Sequence, residues 1–353
     1  MKTDGRPALG EGARHPRVKV LAVAAVLLPL AAPVFAQDFS VLVRTGTPDE
    51  VQEAISRGAD VEITDFPFWN VRPSGSVAAR LYQTESEGLT PLMQAAAFNP
   101  DPRVIAVLLK AGARIGDRDN EGGTPLMWAA ENNANPAVIT ALLAAGARVE
   151  ERTLMNTTAL MLAARSNPNP EVLTALLAAG ANPDDVDADG YTPLMWAAEN
   201  NPNPQIVHAL VRGGAKINRK TSDGWTPLTF AIVNTRTPAV ITALLEDGAN
   251  VEDRTPDGWT PLMIAAMSAA TPDAVSLLVN AGAVVNETNA SLVTPLMLAA
   301  RFGADPSVIS TLLRAGARTA LKDAFGKTAL DYVQGNPKLR ETPADEELKK
   351  ARD

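Results

Sequence analysis

The apolar positions of this chain repeat with two interlocked spacings. In Pro125-Leu126-Met127-Trp128-Ala129-Ala130, residues Leu126, Ala129 and Ala130 fall at i, i+3 and i+4, one stripe of a helix. A few residues later Val138, Ile139, Leu142 and Leu143 make a second stripe of the same kind. The pair of stripes then recurs every 34 residues, opened by Thr90, Thr124, Thr158, Thr192, Thr226, Thr260, Thr294 and Thr328. Thr-Pro-Leu-Met stands at Thr90, Thr124, Thr192, Thr260 and Thr294, and Thr-Pro-Leu-Thr at Thr226; Ala replaces Pro after Thr158 and Thr328. A fixed period of this length marks one supersecondary unit stacked many times.

Three kinds of punctuation keep the same phase. The threonine is a good N-cap, and proline suits the first helical position that follows it. A second cap-plus-proline signal recurs at Asp101-Pro102, Asn135-Pro136, Asn169-Pro170, Asn203-Pro204, Thr237-Pro238, Thr271-Pro272 and Asp305-Pro306. Glycines at 112, 146, 180, 214, 248, 282 and 316 are placed to stop the second helix in a left-handed conformation. Between units lie polar connectors such as Asp187-Ala188-Asp189-Gly190, Ser222-Asp223-Gly224 and Pro256-Asp257-Gly258. Their Asp-Gly pairs predict tight turns that project from the stack. The expected unit is therefore helix, turn, helix, finger.

On these motifs the chain resembles the ankyrin repeat family, whose unit is a β-turn and two antiparallel helices opened by Thr-Pro-Leu-His-x-Ala. The resemblance covers residues 38–350. It implies an all-α solenoid of stacked helix-turn-helix units with projecting fingers. Two departures resemble a bacterial branch of the family. Met93, Met127, Met161, Met195, Met263 and Met297 replace the usual His, exchanging a polar group for an adaptable hydrophobe. The period is also 34 instead of 33, with the additional residue in the Asn-Pro link between the helices.

Residues 1–36 stand outside the array. Arg14, Arg17 and Lys19 precede an apolar run from Leu21 to Ala32, and Val34-Phe35-Ala36 resembles a small-x-small cleavage site. This pattern predicts a secretory signal peptide cleaved after Ala36 and a periplasmic or secreted protein. The apolar run is short for a membrane span, so stable insertion after cleavage is not expected. Residues 37–61 form an atypical N-terminal capping repeat, 89–327 seven repeats of 34 residues, and 328–353 a C-terminal capping repeat with a charged tail. From Gly58 to Thr90 is 32 residues, where an ordinary unit takes 12, so about 20 residues are inserted in the first finger. That finger, residues 62–88, carries Phe66-Pro67-Phe68-Trp69 and reads as a binding lid or an end cap.

Charge and composition narrow the function. The whole chain carries −8; the leader holds five basic and two acidic residues, which leaves −11 beyond it. An exported protein this acidic is a poor match for nucleic acid or an anionic membrane. The chain has no Cys, and His208 is the one His beyond the leader. No Cys-His pair, His-rich metal cluster or phosphate-binding Gly-rich loop follows from these residues. No catalytic residue, metal or cofactor is expected, and the chain reads as a non-enzyme.

The remaining candidate is a binding surface. On each first helix the Leu and the Ala pair face inward, leaving the position after Met and those three and four further on to face out. They read Gln94-Ala97-Phe98, Trp128-Glu131-Asn132, Leu162-Arg165-Ser166, Trp196-Glu199-Asn200, Phe230-Val233-Asn234, Ile264-Met267-Ser268 and Leu298-Arg301-Phe302. At the finger tips, Tyr191, Trp225 and Trp259 hold the same place in three successive units. These rings either form an aromatic ladder or shield the neighbouring turn. The predicted partner contacts are Trp128, Glu131, Asn132, Arg165, Trp196, Glu199, Asn200, Asn234, Tyr191, Trp225 and Trp259, with Phe68 and Trp69 of the insert. The ankyrin resemblance implies a monomeric protein-binding scaffold using its concave first-helix face and turn tips. Two other readings stay open: a glycan or cell-wall binder using the aromatic ladder, and a secreted effector acting on host proteins.

Overall fold

The computed structural model describes residues 32–64, 88–234, 237–268, 272–303 and 305–350. Among them the chain forms eighteen helices and no strand. Numbered in chain order, the first helices of the units are α1 (Ala32–Thr45), α3 (Pro91–Phe98), α5 (Pro125–Asn132), α7 (Ala159–Ser166), α9 (Pro193–Asn200), α11 (Pro227–Asn234), α13 (Pro261–Met267), α15 (Pro295–Phe302) and α17 (Ala329–Gln334). The second helices are α2 (Pro48–Ser56), α4 (Pro102–Lys110), α6 (Pro136–Ala144), α8 (Pro170–Ala178), α10 (Pro204–Arg212), α12 (Pro238–Glu246), α14 (Pro272–Asn280), α16 (Pro306–Arg314) and α18 (Pro343–Lys350). First helices stack on first helices and second on second, giving two layers.

The caps do what their residue types dictate. The hydroxyls of Thr90, Thr124, Thr158, Thr192, Thr260 and Thr294 each accept from the backbone N–H of the methionine three residues on, at 3.3–3.4 Å. The methionines also do more than fill space. In three units the Thr N–H donates back to Met161, Met195 or Met297 Sδ at 3.5 Å, a reciprocal box in which sulfur takes the part of a Glu carboxylate. Asp101, Asn135, Asn169, Asn203 and Asp305 cap the second helices by accepting from the N–H two residues ahead. Thr237 stands at the same place and makes no side-chain cap bond. At each helix stop the glycine is left-handed, with φ of 89–109° from Gly112 to Gly316.

The core contains the predicted stripe and reaches beyond it: Gln94, Phe230, Ile264 and Leu298, at the position after Met that was expected to face out, are buried as well, because the next first helix and the finger close over that position. Leu92, Leu126, Leu160, Leu194, Leu228, Leu262 and Leu296 are buried with the alanine pair that follows each (Ala231 and Ile232 after Leu228), against Val104, Val138, Val172, Ile206 and their equivalents from the second layer. Removing one such leucine to alanine costs about 2–5 kcal/mol through the cavity it leaves. Small alanines let adjacent first helices approach, and that close approach brings a polar element between units. Asn99, Asn133, Asn167 and Asn201, which follow the first helices, are 0–5 % exposed. Each donates its amide to two carbonyls of the preceding unit; Asn167 bonds Ala130 O (2.8 Å) and Asn133 O (2.9 Å). The same pattern holds at Asn99, Asn133 and Asn201.

The ends close differently from the interior. In α1, Phe39, Ser40 and Val43 are buried, and the Ser40 hydroxyl donates to Gln94 Oε1 at 2.6 Å. The charged tail is more than a polar helix. α18 lies against α16 and α17 and buries Ala344 and Leu348. Its Asp345, 1 % exposed, accepts from Gln334 Nε2, Glu341 N–H and Lys349 Nζ. Burial pushes this carboxyl up, but those donors outweigh it and hold it below the ordinary value.

Candidate functional site

The outward row of the first helices is built from residues at the same register in successive units: Glu131, Arg165, Glu199, Val233, Met267 and Arg301. The Arg165 guanidinium pairs with the Glu131 carboxylate one helix back. It also lies over the Trp196 ring one helix forward, 5.2 Å from the centroid. A single side chain thus ties α5, α7 and α9 across the face. Further along, Val233 and Met267 are 41 % and 37 % exposed. The row therefore changes from charged to apolar between α9 and α11.

The two tryptophans of this face are anchored through a feature the helical register does not show. Trp128 Nε1 donates to Asp119 Oδ2 at 2.6 Å, and Trp196 Nε1 to Asp187 Oδ2 at 2.8 Å. The Tyr332 hydroxyl makes the equivalent bond to Asp323. In each case the other carboxylate oxygen accepts two N–H groups of the finger turn. Where the turn begins with Thr153, Thr221 or Thr255, its hydroxyl takes one turn N–H, and the facing residue is Leu162, Phe230 or Ile264. Asn289 likewise spends Oδ1 on the turn and faces Leu298. So Asp pairs with a ring donor and Thr or Asn with an apolar residue, because only a carboxylate has a second acceptor to offer.

The finger aromatics pack inward. Tyr191, Trp225 and Trp259 are half-buried against the core. Tyr191 and Trp225 do not meet directly; Phe230 lies between them, with centroids 4.8 Å and 5.4 Å away. Tyr191 also approaches Trp196 at 6.1 Å. Burial raises the Tyr191 pKa, and the carboxylates of Glu199, Asp189, Asp187 and Asp223 raise it further, so the ring sits in a negative field. Because Trp225 is packed on Phe230 and the core, its truncation would cost stability as well as any binding.

Asn132 and Asn200 turn back on their own helices, each donating to the carbonyl of Trp128 or Trp196 at 3.2 Å. Asn200 also donates to Glu199. Asn234 ends α11, and its side chain lies outside the described residues, as do Phe68 and Trp69. His208 belongs to the other layer: its Nδ1 is 2.7 Å from Asp247 Oδ2, linking α10 to the end of α12. Among the described residues, no group of three or more His, Asp or Glu is placed to hold a metal ion. Nor is any helix among them long and apolar enough to cross a membrane.

The predicted contacts omitted Asp119 and Asp187 altogether, and also Phe230, Val233 and Met267, which read only as outward-facing positions. The two aspartates read as turn formers, although their alternation with Thr in step with Trp and Leu nine residues on was visible. Val233 and Met267 carried neither charge nor ring and stood in the right register all the same.

The family of ankyrin repeats (3 copies) matches this chain at residues 42–153, 135–221, 160–255, 198–289 and 237–323. The chain belongs to the ankyrin repeat family. No curated protein matches it.

Proposed function

We propose that this chain is an exported, non-enzymatic scaffold that binds a protein partner on its first-helix face. Ankyrin repeats are in general protein–protein interaction modules. The observation that carries the reading is the row from Glu131 to Arg301. It runs unbroken across six successive first helices, while the inward row is nearly invariant Leu and Ala. Packing dictates one row and leaves the other free to vary. An ion pair and a cation–π contact pre-order Arg165, and two exposed apolar side chains further along the same row, Val233 and Met267, lie outside the core. Burying such groups against a partner is favourable and needs little reordering.

A protein fits this surface better than a glycan. Tyr191, Trp225 and Trp259 are half-buried and Phe230 is 5 % exposed, so the tips present less open ring than a sugar platform uses. For export, cleavage after Ala36 would keep Phe39, Ser40 and Val43, which are buried among the described side chains of α1, in the mature chain.

The test is affinity capture from a periplasmic extract of the producing cells, with wild type and V233E/M267E as baits. Both positions are exposed enough for the variant to fold. A protein held by wild type and released by the variant supports the reading; identical capture by both contradicts it. N-terminal sequencing of the cell-derived protein should begin at Gln37.

A further inference from the structure

The units are tied to one another differently in the two halves of the stack. At the link edge, where first helix passes to second, asparagines bridge the units as far as α9. Asn133, Asn167 and Asn201 each donate two amide bonds to carbonyls of the unit before. Two residues on, Asn135, Asn169 and Asn203 add a third. Their Oδ1 caps the second helix, while Nδ2 donates back to Pro100, Ala134 or Pro168 O at 2.6–2.7 Å. The α3/α5, α5/α7 and α7/α9 interfaces are closed in this way.

Beyond α9 the chemistry for this clamp is missing. Thr235, Ala269 and Gly303 hold the register of Asn201, and Thr237, Thr271 and Asp305 that of Asn203. None carries an amide. A methyl group, a bare glycine and a carboxylate have no donor, and threonine has one where asparagine has two. Gly303 N–H is spent on Ala299 O, and the hydroxyl of Ser268, which ends α13, turns back to Ala265 O. Asn336 restores the amide bonds only at the last interface, to Ala300 and Gly303 O.

The finger edge is tied across the interfaces that the link edge leaves open. Asn218 Oδ1, Glu252 Oε1 and Asn286 Oδ1 accept from Asn250, Val284 and Arg318 N–H of the next unit at 2.7–2.9 Å. The Lys220–Asp253 and Arg254–Glu287 ion pairs run along the same edge. His208 meets Asp247 on that side as well, since Asp247 ends α12.

We propose that the α9/α11, α11/α13 and α13/α15 interfaces are hinges: units beyond α9 swing about their finger-edge ties while the link edge opens and closes, and the units before them hold a fixed curvature. What spans the link edge at a hinge is apolar packing, which is non-directional. Fewer bonds between neighbours also lower the cost of local opening in a solenoid. Val233 and Met267 stand on α11 and α13, so the apolar part of the first-helix row rides on hinged units, while Glu131 and Arg165 ride on fixed ones. Closing the hinges fits the apolar part to a partner seated on the charged part. That use of the hinges rests on the protein-binding reading; the hinges themselves belong to the free chain.

The test is therefore made without a partner. The chain has no Cys, so paired spin labels can be introduced cleanly on the full chain. A137C/Q205C spans α5/α7 and α7/α9, and Q205C/D273C spans α9/α11 and α11/α13; the three residues are exposed at the starts of α6, α10 and α14. A nine-residue second helix spans about 13 Å, so a swing of about 10° at each of two hinges spreads the labels by about 4–5 Å. Double electron–electron resonance should give a distance distribution wider by about that amount for Q205C/D273C than for A137C/Q205C. T235N/T237N/A269N/T271N, which continues the amide ladder, should narrow the first of these to match the second. N201A/N203T, which copies Ala269 and Thr271 at the α7/α9 interface, should widen A137C/Q205C. Equal widths for the two pairs in the otherwise unaltered chain would overturn the proposal. So would widths that neither the added nor the removed asparagines change.

Discussion

Replacing Asn167 by alanine should destabilise the solenoid far more than any change to the charged surface. Asn167 is fully buried, at 0 % exposed. Its amide donates to Ala130 O and Asn133 O, and its Oδ1 accepts from Asn169 N–H at 2.9 Å. A net hydrogen bond is worth about 0.5–1.5 kcal/mol, so three give about 1.5–4.5 kcal/mol. The substitution also leaves two carbonyls of the preceding unit without their partner between closely packed helices, where an unmet group costs about 1–3 kcal/mol. Part of that is recovered by local relaxation, so the expected loss is about 3–4 kcal/mol. Urea unfolding followed by circular dichroism reads it, with Asn200→Ala as control. Asn200 is exposed and bonds only within its own unit, and its loss should be within about 0.5 kcal/mol. If Asn167→Ala costs less than about 1 kcal/mol, the asparagines are spacers and do not clamp the units together.

Other consequences are equally direct. Asp187→Thr should cost about 1–3 kcal/mol, because the hydroxyl restores the turn but strands the Trp196 indole N–H. D187T/W196L, which copies the Thr153 and Leu162 pairing, should recover part of it in a double-mutant cycle; purely additive losses would refute the pairing rule. Leu292→Asn should raise stability by about 1 kcal/mol by relieving the left-handed strain, measured as an upward shift of the urea midpoint. The last unit should be acid-sensitive. At Asp323 and Asp345 burial pushes the pKa up, but hydrogen bonds from Tyr332, Lys349 and backbone N–H groups hold it below 3.8. A lowered carboxylate stabilises the fold above its unfolded pKa and loses that contribution as pH falls through its native pKa. Amide exchange in α17 and α18 should therefore accelerate below about pH 3.8 before that of the central helices; simultaneous acceleration would count against it.

The fold was legible because its signals are local and redundant. A capping Thr, a proline at the first helical position and a left-handed glycine each report on their own few residues, and repetition aligns them. Leu126 and Ala130 could be assigned to the core from spacing alone. The asparagine clamp was not legible, because Asn133 and Asn167 belong neither to the apolar stripes nor to the cap-plus-proline pairs two residues on, and their acceptors belong to the preceding unit. The site was legible in register but not in state. Arg165, Glu131 and Trp196 were placed on one face, yet spacing could not reveal that one guanidinium joins them. Nor could it reveal that the Trp196 N–H is already taken by Asp187. The tip rings showed their position to the sequence and their inward packing only in three dimensions, where Phe230 on α11 packs between Tyr191 and Trp225.

The central claim is that a partner lies along the first-helix row. Hydrogen–deuterium exchange on the complex with the captured protein tests it most directly. Slower exchange at the ends of α5, α7, α9, α11 and α13, with α6, α8, α10 and α12 unchanged, is the predicted footprint. Protection confined to the second helices, with the first-helix row exchanging as in the free chain, would contradict it.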